Sequence, residues 1–511
     1  MRKPRNSADF AEFSTVKAFS EEETQYDRHK GYGDVDVALI FPSDYDQTVG
    51  NLGYHKVFQI LNTVEGVNCE RFYYDPSFTK FYSLDSFRPI DEFSIWAFSI
   101  HFELDIFNIV EMLRKKGIPL RSVERRGEHP FILIGGSLTY FNACPLWELA
   151  GIILYGDAED PLPTLVKTIV PAVVKGKRRQ EVLETLSEME TVALPPLEKE
   201  HRTLSVFSSL SRFPSRSSFV HPKGPFGRKA LIEVGRGCLR RCSFCVTGFT
   251  RSPARFLPFD ILKKEIEDLI DKEQAACGKA PAFGFISATP TDYPHLPELL
   301  AFLERSSLDF GFSSIRLESI SDALLSGLRR GDQQSITIAP EAATERIRRV
   351  LNKGITDGQL ADALERIARA GFREVKCYCL FGIEEETEED LLAFARLVEE
   401  WRKLGFYKIH LSFNPLIPKP NTPFESRVLE SEGTLRRKKK LLENALRGLC
   451  QTQFESLRNS QLQSLLAKGD RSLSKHLVSG HSGQTIQKQL LQNVRTQTRT
   501  KDKGSSHATI R

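Results

Sequence analysis

The sequence predicts an α/β protein in two consecutive units: a doubly wound parallel sheet, then a partial β/α barrel, followed by a helical, basic tail. Three observations predict it. Short apolar runs alternate with amphipathic helical stretches over residues 34–171. A Ser/Arg/Pro-rich segment interrupts that alternation, and a second one, of six strand–helix units, follows over 230–430. Alternation of this kind argues parallel sheets, because parallel neighbours need a crossover long enough to hold a helix.

In chain order, residues 1–33 are polar and dotted with aromatics, and are expected to form an arm. DVDVALIFP (34–42) is an apolar strand, and LGYHKVFQILNTV (52–64) has helical periodicity. NCERFYYD (68–75) and FSIWAFSI (93–100) read as strands, and DIFNIVEMLRKKG (105–117) as a helix closed by Gly117. FILIGG (131–136) and GIILYGD (151–157) complete the first sheet. Its carboxyl-end loops hold Gly135, Gly136, Gly156 and Asp157, where ligands sit in sheets of this kind. Residues 172–229 read as a linker. The second unit has strands expected at LIEVG (231–235), FGFIS (283–287), FSSIRLE (312–318), SITIAP (335–340), EVKCYCLFG (374–382) and KIHLSFNPL (408–416). Six such units suggest a TIM-like (β/α)6 barrel. A helical extension (431–480) and a polar tail expected to be disordered (481–511) end the chain.

Composition narrows the function classes. No run approaches the roughly 20 apolar residues of a membrane helix, and the basic start has no apolar core of a signal peptide. Nine cysteines, an odd number clustered only once, do not form a secreted disulfide framework, so a cytoplasmic location is expected. The net charge of +5 hides an asymmetry: residues 435–511 carry 16 Lys/Arg against 4 Asp/Glu. That basic end reads as a solvated tail, a nucleic-acid contact or a partner-docking helix.

The chemistry concentrates in GRGCLRRCSFCVTG (235–248), which spaces Cys238, Cys242 and Cys245 as Cys-x3-Cys-x2-Cys after the barrel's first strand. Three thiolates can hold three corners of an iron–sulfur cubane and leave one iron open to a ligand. Gly235 and Gly237 let the backbone turn closely, and Arg236, Arg240 and Arg241 can offset the cluster's charge. The competing reading is a structural zinc site, which needs a fourth ligand that His221 or Cys277 would supply at unaccustomed spacing.

This motif, with Phe244 before the third cysteine, resembles the hallmark of the radical S-adenosylmethionine (radical SAM) superfamily. VTGFTRSPARF (246–256), ITIAPEAATERIRRVLNKGI (336–355), VKCYCLFGIEEETEED (375–390) and FNPLIPKPNTPFE (413–425) are similar to further segments of a methylthiotransferase-like subgroup with a cobalamin-binding-like domain. The resemblance implies a 4Fe-4S cluster on the three cysteines and reductive cleavage of S-adenosylmethionine to a 5′-deoxyadenosyl radical. That radical would act on an unidentified substrate, with methyl or methylthio transfer as the reaction. It implies S-adenosylmethionine contacts from Phe244, Glu318, Glu341, Lys353 and Gly382, and an electron donor such as flavodoxin or ferredoxin. The usual Gly-Gly-Glu after the second strand is replaced by SATPTDYPHL (287–296). Cys377 and Cys379 alternate with Lys376 and Tyr378 along a strand and read as core.

The first unit resembles the subgroup's Rossmann-like cobalamin-binding domain, but its first loop reads PSDYDQTVGNLG (42–53), without Asp-x-His-x-x-Gly. It therefore holds cobalamin with no histidine on cobalt, or serves as a scaffold shielding the radical site. The contrasting function is a non-catalytic, zinc-stapled RNA-binding scaffold; related methylthiotransferases modify transfer RNA.

Overall fold

The computed structural model describes residues 7–492. The first unit is a six-stranded sheet: β1 (Val35–Phe41), β2 (Val67–Tyr73), β3 (Ile95–Ser99), β4 (Phe131–Gly135), β5 (Ile152–Leu154) and β6 (Val192–Ala193). Its order is β2-β1-β3-β4-β5-β6, and only β6 runs antiparallel to its neighbour. This is a doubly wound order whose switch point lies between β1 and β3. Strands β1, β2 and β3 are buried almost without interruption, as strands of a parallel sheet covered on both faces are, even though β2 stands at the sheet's edge.

Two boundaries differ from the expectation. The arm is a helix, Ser7–Glu22, fastened to the sheet unit: the Glu12 carboxylate accepts the N–H groups of Thr79 (2.8 Å) and Lys80 (3.0 Å). Beyond it, Glu23 pairs with the buried Arg71 at 2.8 Å. The expected linker begins inside this unit too. Helices Pro161–Val174 and Arg179–Leu186 lead into β6, which pairs Ala193 with Ile153.

The barrel follows as two parallel sheets. β7 (Lys229–Glu233), β8 (Ala282–Ile286) and β9 (Phe310–Gly311) form one, and β10 (Ser335–Glu341), β11 (Glu374–Phe381), β12 (Lys408–Pro415) and β13 (Gln451–Phe454) the other. The third barrel strand shrinks to two residues, against seven expected, because side chains take its ladder donors. The Arg316 N–H goes to Thr291 Oγ1 (3.2 Å), and that of Phe312 to Gln333 Oε1 (3.4 Å). One bond, Ile315 N–H to the Thr337 carbonyl (3.0 Å), still joins the two halves. β13 was not expected: QTQF has no apolar alternation, and it pairs only along β12.

The tail also differs. Residues 483–492 are helical, and Ile486, Leu490 and Leu491 bury in the first unit's core with Leu462, Leu466 and Leu477. Their i, i+4, i+5 spacing makes one apolar stripe, which outweighs the polar composition. The rest of the expected tail, 493–511, lies outside the described residues. Among the described residues, no helix is long and apolar enough to cross a membrane.

Candidate functional site

The cysteine loop leaves the carboxyl end of β7. Gly237 has φ +85° there, and a Cβ on it would stand 2.3 Å from the Arg251 carbonyl oxygen, so only glycine fits. Cys242 is buried, Cys238 and Cys245 are half-buried, and all three are free thiols. Burial raises the Cys242 thiol above its ordinary value, and nearby Lys353 opposes that. Among the described residues, no three His, Cys, Asp or Glu side chains converge as they would around one metal ion. A zinc shell draws its ligands to about 2.0–2.3 Å from one centre, whereas a cubane takes each thiolate at a separate iron. Three soft thiol donors, with no fourth on the same loop, are the set that takes three irons and leaves one open.

Two bonds tie this loop to the end of the fourth barrel unit. The Ser243 N–H donates to the Leu351 carbonyl (2.9 Å), and Asn352 Nδ2 to that of Arg241 (2.7 Å). Phe244 packs against a small core of Ala342, Ile347, Leu351, Ile383, Leu416 and Phe424, which joins the loop to the ends of β10, β11 and β12.

Glu341 ends β10 in a left-handed conformation, φ +68°, where the pairing with β11 slips register. Lys353 Nζ donates to its carboxylate at 2.9 Å, and both side chains are about nine-tenths buried. Burial pushes the Glu341 carboxyl up, and Lys353 pulls it back. The structure thus brings these two expected ligands together, each partnered by the other. Glu318 shares with Lys353 a cavity of about 90 Å3, which Thr289 and Arg316 also line; Glu341 does not reach its wall. Arg316 was not singled out from sequence. Its guanidinium pairs with Glu318, while its buried Nε has no hydrogen-bond partner. Gly382 stands apart from this cavity: its N–H donates to Glu386 (3.0 Å), and a Cβ would meet Leu435 at 2.5 Å. Cys377 and Cys379 are buried in the core beneath the helices.

A second cleft, about 320 Å3, lies where the first sheet's carboxyl-end loops face the barrel mouth. Gly136, Gly156 and Asp157 line it, together with Glu233, Arg236 and Ile286 from the barrel. Arg236 is buried and pairs with Asp157 (2.9 Å), Glu159 (2.8 Å) and Glu233 (2.7 Å), so it bolts the two units together. Arg236 holds the Asp157 and Glu233 carboxyls below their ordinary values against the upward push of burial. His101 also lines the cleft. Ser137 Oγ lies 2.7 Å from its Nδ1 and Ser99 Oγ 3.4 Å from its Nε2, and burial lowers its pKa to about 3.

Residues 232–398 match the radical SAM superfamily and residues 53–195 the N-terminal region of radical SAM proteins; the chain belongs to this superfamily and is an enzyme of the radical SAM class. An uncharacterized protein of Methanocaldococcus jannaschii is 27% identical over 447 residues, 86% of this chain and 90% of that one. A tRNA-2-methylthio-N(6)-dimethylallyladenosine synthase of Ruegeria is 27% identical over 40% of this chain; the match spans about half of that relative, 49%. Among solved structures, the radical S-adenosylmethionine methyltransferase TsrM of Kitasatospora setae superposes with TM-score 0.52 and 12% identity, over 91% of this chain and 99% of that one. The cobalamin-dependent radical enzyme OxsB gives 0.51 and 14%, over 84% and 65%. The likeness extends across both units, so the fold is that of cobalamin-dependent radical SAM enzymes.

Proposed function

We propose that the chain binds a 4Fe-4S cluster through Cys238, Cys242 and Cys245 and cleaves S-adenosylmethionine at the barrel mouth to drive methyl or methylthio transfer to its substrate. The observation that carries this reading is the joining of the cysteine loop, the Glu341–Lys353 pair and the Glu318 cavity at one end of the barrel. When bound, the cluster supplies one electron and an open iron for the methionine amine and carboxylate. Lys353 then offers a cation to the carboxylate. Glu341 and Glu318 offer acceptors to the amine or ribose, and Phe244 keeps the loop seated. Leu239, 62% exposed, and the exposed Arg240 and Arg241 present an apolar tip ringed by cations to an acidic electron donor such as flavodoxin or ferredoxin.

The interdomain cleft supports cobalamin as a further cofactor, since it opens glycine-rich loops toward the barrel mouth. Both ring nitrogens of His101 already face serine hydroxyls, which favours binding without a histidine on cobalt. Anaerobic reconstitution with iron, sulfide and cobalamin tests both parts. About four iron and four sulfide per chain are expected, with dithionite-driven release of 5′-deoxyadenosine. Labelling the histidines with 15N should leave the hyperfine pattern of the reduced Co(II) form unchanged. Stoichiometric zinc, or no S-adenosylmethionine cleavage by a loaded cluster, would overturn the radical reading.

A further inference from the structure

The barrel's inner wall is chemically lopsided. In the second sheet, Ile336, Ile338, Val375, Cys377, Ile409 and Leu411 are buried beneath the helices. The alternate residues therefore face the barrel interior. Strand register sets them in rows: Thr337, Lys376, His410 and Gln451 lie side by side, and Tyr378, Ser412 and Gln453 form the next row toward the mouth. The first sheet's inward positions are small or apolar at their centre, with Leu231 covering Gly284, where a Cβ would stand 2.6 Å from it; at their foot Lys229 also turns inward, its stem 3.2 Å from where a Gly311 Cβ would stand, and at the mouth end Glu233 is held by Arg236.

One charge on the polar wall is unspent. At the wall's foot Glu374 is held by Lys408 at 2.7 Å. Lys376, one row up, makes no ion pair among the described residues; its ammonium stands 5.0 Å from the Tyr378 ring centre. Burial and the Lys376 charge both lower the His410 pKa, so that imidazole is neutral and offers an N–H. Tyr378 is 38% exposed, so the wall is open to a ligand. Thr337 lies four residues below Glu341 on β10, roughly 13 Å at 3.3 Å per residue. That is room for a small molecule between the Lys376 row and the mouth.

We propose that this wall is an oxyanion subsite centred on Lys376, and that the substrate carries a carboxylate or phosphate there while its reacting end lies at the mouth. The proposal rests on the radical reading above for the identity of the mouth, but its test does not. An ammonium without an ion pair, set in a row of neutral donors, recognises a compact anion as a point charge, with amide, hydroxyl and imidazole groups completing the hydrogen bonds.

The test uses pyridoxal 5′-phosphate, an anionic aldehyde, on the full-length reconstituted protein. Its aldehyde condenses with an amine, releasing water, and borohydride adds hydride to the resulting C=N bond and fixes the label for peptide mapping. Because pyridoxal closes to an internal hemiacetal and is the poorer reagent at every amine, labelling is read as a ratio between sites. The pyridoxal 5′-phosphate to pyridoxal ratio at Lys376 should exceed that at exposed Lys440 at least about tenfold, the discrimination one charge-assisted hydrogen bond gives. Protection of Lys376 by inorganic phosphate but not acetate assigns a phosphate-bearing substrate, and the reverse assigns a carboxylate. A ratio no greater than at Lys440, or protection by neither anion, would overturn the subsite. Cleavage of S-adenosylmethionine by the same preparation scores the radical reading separately.

Discussion

The two units present their carboxyl-end loops to each other, yet spend their charged groups differently. Where the sheet's loops meet the barrel, Asp157 and Glu159 close with the barrel's Glu233 on one buried arginine, Arg236, and the loop acid expected beside a ligand serves instead as a bolt. On the barrel side, three thiols remain free, Arg316 Nε lacks a partner and Lys376 lacks a counter-ion among the described residues. Groups satisfied within the protein hold geometry, whereas unsatisfied groups in an open site are where a ligand gains most. The proposed function accordingly assigns the radical chemistry to the barrel, with the first unit giving it a fixed wall and a cleft.

The strongest way to break this contrast is at the thiols. Changing Cys238, Cys242 and Cys245 together to Ala should abolish iron binding while leaving the circular dichroism of the apoprotein unchanged, since the loop lies outside the main cores. Retained iron would assign the cluster elsewhere. Next comes the bolt. Arg236→Ala leaves three carboxylates buried around a missing cation, which costs about 3–5 kcal/mol. A urea midpoint equal to wild type would show that the acids are solvated and the units not locked there. Smaller still is Lys353→Ala, which should weaken S-adenosylmethionine binding roughly 10- to 150-fold at unchanged iron content, as for loss of one charge-assisted hydrogen bond. Because Glu341 is then stranded, Lys353→Ala with Glu341→Gln should recover stability but not affinity. If affinity returns as well, the pair is structural and binds nothing.

Much of this was legible in sequence for definite reasons. The parallel sheets declared themselves through apolar runs alternating with helices, and Cys377 and Cys379 through their alternation with Lys376 and Tyr378. Local spacing also marked the thiols. What the sequence hid was non-local. The third barrel strand fails because Thr291 and Gln333, distant in sequence, take its donors. Glu341 and Lys353 could be assigned as ligands, but nothing in a helix-spanning interval says that they meet at 2.9 Å. The Gly-Asp segment at 156–157 looked like a ligand loop because its role depends on Arg236, 79 residues onward. The helix at 483–492 was masked by its polar composition, though its apolar stripe is plain once its partner core is known.

The finest comparison sets one buried acid in each unit against the other. Asp105, at the start of helix Asp105–Lys115, and Glu386, beneath helix Glu432–Ala445, are both pushed by burial to about 7. Glu386 has local compensation, from Lys438 at 3.1 Å and the Gly382 N–H at 3.0 Å. Among the described residues Asp105 has no cation beside it: a backbone hydrogen bond at Phe102 relieves part of its burial, and the nearby charges of Asp44 and Glu103 add to it. An acid whose folded value exceeds its unfolded one, about 4, binds its proton more tightly when folded. Its burden is therefore absent below pH 4 and grows as pH rises toward 7. Asp105→Asn should thus stabilise the protein by roughly 1–3 kcal/mol at pH 8, a discounted share of that linkage, and by little at pH 4.5. Glu386→Gln should gain less at pH 8, because it also strips Lys438 of a partner. Urea unfolding at the two pH values reads both. Equal gains at pH 4.5 and pH 8 would mean that Asp105 keeps an ordinary carboxylate, and larger gains from Glu386→Gln would reverse the contrast between the units.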